Sequence, residues 1–162
     1  MLTTKEAIET RRSIRKYKPD AIPDEHIREL LNSARLAPSG CNAQPWRFKI
    51  VREEDVKTKL AEAAYDQAFI AQAPIVIVCC ADIQGYIDGT VSGVQDLGNI
   101  GAIEDRIITI LEEKTKNLET IDINELGPRI AVNVAIAIEH IVLRALDFGL
   151  EVAGFVCLMS RR

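Results

Sequence analysis

Pro74 is followed by Ile75-Val-Ile-Val-Cys-Cys-Ala81, a run with no charge and no turn former. Branched and small apolar side chains in so short a run read as a strand covered on both faces, which places it at the centre of a sheet. It is also the longest purely apolar run in the chain, far below the roughly 20 residues a bilayer crossing needs. The later apolar segment is interrupted by Asn133, Glu139, His140 and Arg144, and the first residues by Lys5, Glu6, Glu9, Arg11 and Arg12. No membrane partner and no secretion are expected, and the protein is expected to be cytoplasmic.

The flanking segments carry their own periodicities. Thr3 and Glu6 have the spacing of a capping box, and the residues behind them fit a short helix ending at Arg11 and Arg12. Ser13 to Asp20 reads as an extended linker. Pro23 and Asp24 open a second helix with Ile27, Leu30, Leu31 and Ala34 on one face, and Pro38-Ser39-Gly40 cannot continue it. Trp46, Phe48 and Ile50 alternate with Arg47, Lys49 and Val51, as in a strand with one buried face.

Further helices are expected over 53–72, 102–118 and 129–147. The last is apolar nearly all round and therefore internal. Gly149 is placed as its C-terminal cap, with a final strand over 152–159. Between Asp82 and Gly101 lie Gly85, Gly89, Gly93, Gly98 and Gly101. So many glycines predict a loop or broken helix over an opening, a candidate lid. Helices interleaved with three strands in 162 residues predict one α+β or layered α/β domain, 1–162.

Charge narrows the function. Twenty Lys and Arg against twenty-four Asp and Glu leave a net −4, which argues against nucleic acid as a partner. The cysteines 41, 79, 80 and 157 show no C-x-x-C spacing and there are two histidines, so no metal site is expected. A glycine fingerprint for a dinucleotide or a nucleoside triphosphate is also missing.

Against that acidic background, Arg11-Arg12-Ser13-Ile14-Arg15-Lys16-Tyr17-Lys18 places five cations in eight residues. In an extended segment Arg11, Ser13 and Arg15 share a face, and guanidinium groups with a hydroxyl suit a phosphate. A solvated cationic helix terminus is the alternative. The second motif, Ala37-Pro-Ser-Gly-Cys-Asn-Ala-Gln-Pro-Trp46, holds two side-chain amides in a turn. Asn42 and Gln44 could read the edge of a heterocycle, or the segment is a plain helix-to-strand connection.

The order and spacing of these two motifs, with Ala73-Pro-Ile-Val-Ile-Val78, the helix 131–146 and Gly149-Leu150, resemble the nitroreductase family. The resemblance implies a nitroreductase-like layered fold, its central, mostly antiparallel sheet flanked by helices, in an interlocked homodimer with FMN at the interface. It implies an FMN-dependent oxidoreductase in which NAD(P)H and a small nitroaromatic or quinone-like acceptor take turns in one slot. The flavin carries the chemistry, so no catalytic side chain is nominated.

By the same resemblance Arg11, Ser13 and Arg15, with Arg12, hold the FMN phosphate and the polar edge of the flavin. Pro38, Ser39, Gly40 and Asn42 line the flavin from the other subunit, and Gln44 either joins them or supports the turn. Backbone groups of Gly154, Phe155 and Val156 face the flavin ring. Family members continue past the expected final strand, so a shorter C-terminal tail is expected here. A protein that stores FMN without turnover, a specialised flavoenzyme such as a reductive dehalogenase, and a small anion-binding module remain alternatives. His26 and His140 are expected in structural or surface roles, Cys41 has no activating partner in sequence, and Cys79 and Cys80 are expected to pack in the core.

Overall fold

The computed structural model describes residues 1–154. Among the described residues nine regular elements follow one another: α1 (Thr4–Thr10), α2 (Asp24–Arg35), β1 (Trp46–Val51), α3 (Glu54–Ala63), α4 (Ala68–Gln72), β2 (Val76–Ala81), α5 (Ile83–Asn99), α6 (Asp105–Lys116) and α7 (Ile123–Ala145). Short 3₁₀ turns lie at Gly40–Asn42, Leu118–Thr120 and Leu146–Phe148. None of the described helices is long and apolar enough to cross a membrane.

Contacts divide the chain into two compact units. One comprises Met1–Asn32, Lys49–Val78 and the residues from His140 on; the other comprises Ser33–Phe48 and Cys79–Glu139. In the first, Ala61, Ala64 and Ile70 form a buried cluster joined by Leu60, Phe69, Ala71 and Val76. In the second, Trp46, Ile87, Val94, Leu126, Ile130 and Val134 are buried.

Several helix boundaries follow local rules. The Thr3 hydroxyl accepts from the Glu6 amide at 3.2 Å while Glu6 accepts from the Thr3 amide at 2.7 Å, which completes the capping box of α1. On α2 the expected stripe is inside, with Ile27, Leu30 and Ala34 buried. Gly149 takes φ 66° and closes the last 3₁₀ turn.

Elsewhere the structure departs from expectation. The predicted helix over 53–72 is two helices, because Tyr65 and Asp66 both adopt positive φ (59° and 55°) and turn the chain between α3 and α4. The predicted lid over 82–101 is the continuous helix α5. Asp82 caps it by accepting from the Gly85 amide at 2.9 Å, and its glycines serve close packing. A Cβ on Gly89 would stand 2.5 Å from the Ala43 carbonyl oxygen, and one on Gly98 2.5 Å from Ile108 Cδ1.

The sheet is also smaller than predicted: among the described residues it has two strands, β1 paired with β2. The Asp82 amide donates to the Pro45 carbonyl just beyond their ends, as antiparallel strands require. Among the described residues β2 pairs with β1 alone. Its residues run from half-buried to exposed, and Cys80 is exposed rather than packed in the core. A third extended contact is an isolated parallel bridge from Ser13 to Val152, and the rest of the predicted strand over 152–159 lies outside the described residues.

Helix α7 begins earlier than expected, at Ile123, and contains Pro128 in an early turn. It is not internal on every side. Leu126, Ile130, Val134, Ala137, Ile141 and Ala145 form a buried stripe, whereas Val132 is 61% exposed and Ile136 is exposed as well.

Candidate functional site

The first group of predicted site residues lies in the unit that contains α1. That helix stops at Arg11, whose backbone is extended (φ −52°, ψ 131°) while its amide donates to Ala7. The chain then runs straight on, and the Ile14 amide donates to the Val152 carbonyl at 3.3 Å. Ser13 is thus paired with the backbone at Val152, Arg11 and Arg15 lie two residues to either side of it along the chain, and Gly154 is exposed. Phe155 and Val156 lie outside the described residues.

The three arginines behave differently. Arg12 folds back, its Nη1 donating to the carbonyls of Glu9 at 3.0 Å and of Arg11 at 2.7 Å. It acts as a cation on the helix C-terminus. Neither Arg11 nor Arg15 has a carboxylate partner among the described residues. The Arg15 guanidinium lies 5.7 Å from the centre of the Phe69 ring. Behind them, burial pushes the Tyr17 hydroxyl above its ordinary pKa, opposed by the Ala153 amide and the Arg15 charge.

The second group, residues 38–44, lies in the other unit. Its turn is built from left-handed residues other than glycine: Cys41 (φ 49°), Asn42 (φ 53°) and Gln44 (φ 47°). Hydrogen bonds hold that shape. The Gln44 amide donates to Ser39 Oγ at 3.0 Å, and the Asn42 and Ala43 amides donate to the Ser39 and Gly40 carbonyls. Gln44 Nε2 donates to Asn42 Oδ1 at 3.0 Å, so in this structure Gln44 supports the turn. Pro38, Gly40 and Asn42 are exposed and Ser39 is half-buried. Trp46 is 7% exposed, a core residue with little surface to offer a ligand.

Asn133 is a member of this cluster that the motifs did not indicate. Its Oδ1 accepts from the Gly40 amide at 2.9 Å. In the sequence it is one polar position on an apolar helix, 93 residues from Gly40, and no local signal marks it.

Other candidates take structural places. His26 stacks on Phe148 at 4.4 Å between ring centres. Burial pushes the Cys79 thiol up to about 11, with Cys80 adding to the effect. Among the described residues no group of three His, Cys, Asp or Glu could hold a metal ion.

Comparison with known proteins agrees with the motifs. A family model described as "Nitroreductase family" matches residues 8–155. An NADH dehydrogenase of Thermus thermophilus is 45% identical over 84 residues, 52% of this chain and 41% of that protein. An FMN reductase [NAD(P)H] of Bacillus subtilis is 34% identical over 71 residues, 44% of this chain and 28% of that protein. The matches thus span less than half the length of either relative. A crystal structure from Exiguobacterium sibiricum, described as a nitroreductase in complex with FMN, superposes with TM-score 0.68 at 25% identity, over 90% of this chain and 70% of that one. With most of its length matched by that family model, the chain belongs to the nitroreductase family.

Proposed function

We propose that this chain is an FMN-dependent oxidoreductase that takes a hydride from NADH or NADPH and reduces small nitroaromatic or quinone-like acceptors. The observation that carries the reading is the pair Arg11 and Arg15. In a chain of net charge −4, both guanidinium groups lack a carboxylate partner among the described residues. Unpaired guanidinium groups match phosphate oxygens in bidentate fashion, and the exposed Ser13 hydroxyl adds a donor. These residues fit the phosphate of FMN.

Arg11, Ser13 and Arg15 would hold the phosphate, with Arg12 available once it leaves the carbonyls it now caps. Gly154, Phe155 and Val156 follow the bridge at Val152 and would present backbone to the ring. Pro38, Ser39, Gly40, Asn42 and Gln44 would line the flavin held by the other subunit of a homodimer. The outward face of α7, with Val132 and Ile136 exposed, supports a second copy as its cover. Bound FMN would supply both the acceptance and the return of the hydride. The chain's own residues bind, orient and shield.

The test is the visible spectrum of freshly purified protein, with chromatographic identification of the released chromophore, followed by NADPH oxidation with menadione. A flavin spectrum, released FMN and acceptor-dependent turnover support the reading. Colourless protein that takes up no added FMN overturns it, and a yellow protein without turnover leaves a flavin-binding protein in its place.

A further inference from the structure

We propose that Asn133 is the positioning residue of the amide-bearing turn, fixing the backbone at Gly40 so that Ser39 and Asn42 are presented in one arrangement. The proposal rests on reading that turn as flavin-lining. The two residues belong to the same compact unit.

Asn133 is itself oriented by its own helix. Its Nδ2 donates to the Arg129 carbonyl at 3.1 Å, one helical turn earlier. That bond commits the nitrogen to α7 and leaves the oxygen facing outward, where Oδ1 accepts from the Gly40 amide at 2.9 Å. The carboxamide is used at both ends, which assigns its orientation from the network. A residue with a donor alone or an acceptor alone would satisfy only one of the two partners.

The turn has reason to need an external anchor. Cys41, Asn42 and Gln44 all hold positive φ, a region that side-chain-bearing residues leave unless the surroundings over-determine it. Apart from the Asp82 amide on the Pro45 carbonyl, where the turn passes into β1, its other hydrogen bonds are internal: Gln44 to Ser39, Asn42 to Ser39, Ala43 to Gly40 and Gln44 to Asn42. Internal bonds fix the shape of the turn without fixing its place. Among the described residues, Asn133 is the one side chain from outside residues 38–45 that hydrogen-bonds to it. Steric contact adds to this bond, since α5 presents Gly89 against Ala43. At Gly40 the glycine is not needed for room, because a Cβ there would meet Asn133 Oδ1 at an ordinary 3.9 Å. The contact between the turn and α7 is therefore polar in character.

The experiment compares the full chain with Asn133→Leu, which keeps the branched shape and removes the acceptor, and with Asn133→Asp, which keeps an acceptor oxygen. Two quantities are read: hydrogen exchange of the Gly40 amide in flavin-free protein, and the FMN dissociation constant by fluorescence titration. In Asn133→Leu the Gly40 amide is expected to exchange about five- to tenfold faster, and FMN to bind more weakly by a similar factor. The Val51 amide, in the other unit, should not change. Asn133→Asp should restore slow exchange at Gly40. Should Asn133→Leu fail to give a native spectrum, Asn133→Ala replaces it.

Unchanged Gly40 exchange overturns the proposal, and so does faster exchange with FMN affinity intact. Wild-type protein that binds no FMN overturns the functional reading instead. The exchange comparison still reports the tie between Asn133 and Gly40 in that case.

Discussion

Gly93 on α5 approaches the carbonyl oxygen of Cys41 so closely that a Cβ built on the glycine would stand 1.6 Å from it. No side-chain rotation relieves that contact, because the obstructing atom is backbone.

Gly93→Ala should therefore destabilise the fold at or beyond the upper end of the ~1–3 kcal/mol usual for overpacking. Gly98→Ala meets the outer side chain of Ile108, Cδ1 at 2.5 Å and Cγ1 at 3.3 Å, rather than backbone. It should cost less than about 1 kcal/mol, since alanine also favours the helix. Urea melts of the two variants give the ranking, and equal midpoints would count against close packing as the role of Gly93.

Asp82 does two jobs at the start of α5: it caps the helix at Gly85 and pairs with Arg47 at 2.7 Å. Asp82→Ala should lose about 1–2 kcal/mol, most of it from the cap. Arg47→Ala should lose less than about 1 kcal/mol, because the arginine side chain is 61% exposed and solvent screens the pair. Asp82→Asn keeps a capping oxygen and should fall between wild type and Asp82→Ala. A melt in which Arg47→Ala costs as much as Asp82→Ala would assign the effect to the ion pair.

The Asp147 carboxyl accepts from the Leu2 amide at 2.7 Å and from Arg144 at 2.6 Å. The Leu2 bond foremost, with Arg144 helping, holds its pKa below the ordinary aspartate value. The stabilisation is therefore complete above the unfolded value of about 3.9 and drains away as pH falls through the folded one. Stability measured from about pH 6 downward should decline more steeply in wild type than in Asp147→Asn. Parallel curves would show that the carboxyl is not tied in solution.

Thiol chemistry separates neighbours in the chain. With Cys79 pushed up to about 11 and Cys80 exposed, thiolate at position 79 is about one part in a thousand at pH 8. Cys80→Ser should remove a fast phase of modification by a thiol reagent at that pH. Cys79→Ser should leave the fast phase intact. A fast phase that survives Cys80→Ser would place the reactive thiol elsewhere.

Arg15→Ala should weaken FMN retention by about 1.5–3 kcal/mol, the range for a hydrogen bond to a charged group. Fluorescence titration would then show a dissociation constant raised by more than tenfold. An unchanged constant would remove Arg15 from the phosphate site.

What the sequence made readable was local. The capping box of Thr3 and Glu6, the alternation of Trp46 to Ile50, which Val51 breaks by being buried on the face of Arg47 and Lys49, and the left-handed Gly149 each depend on residues a few positions apart. The two motifs that place the chain in its family are likewise short stretches. What stayed hidden depends on distant partners. The glycines of α5 look like helix breakers until Cys41 and Ala43, some fifty residues earlier, are seen pressed against them. Asn133 has no signature except the Gly40 amide it meets. The break between α3 and α4 has no local mark, because Tyr65 and Asp66 take positive φ without the glycine that usually announces it.

The turn at Cys41, Asn42 and Gln44 keeps side chains where the backbone would be easiest with glycine. Selection for thermal resistance alone would drift these positions toward bare backbone, whereas selection for ligand grip would hold the amides in place. Laboratory evolution of this chain under the two regimes should diverge first in this short stretch.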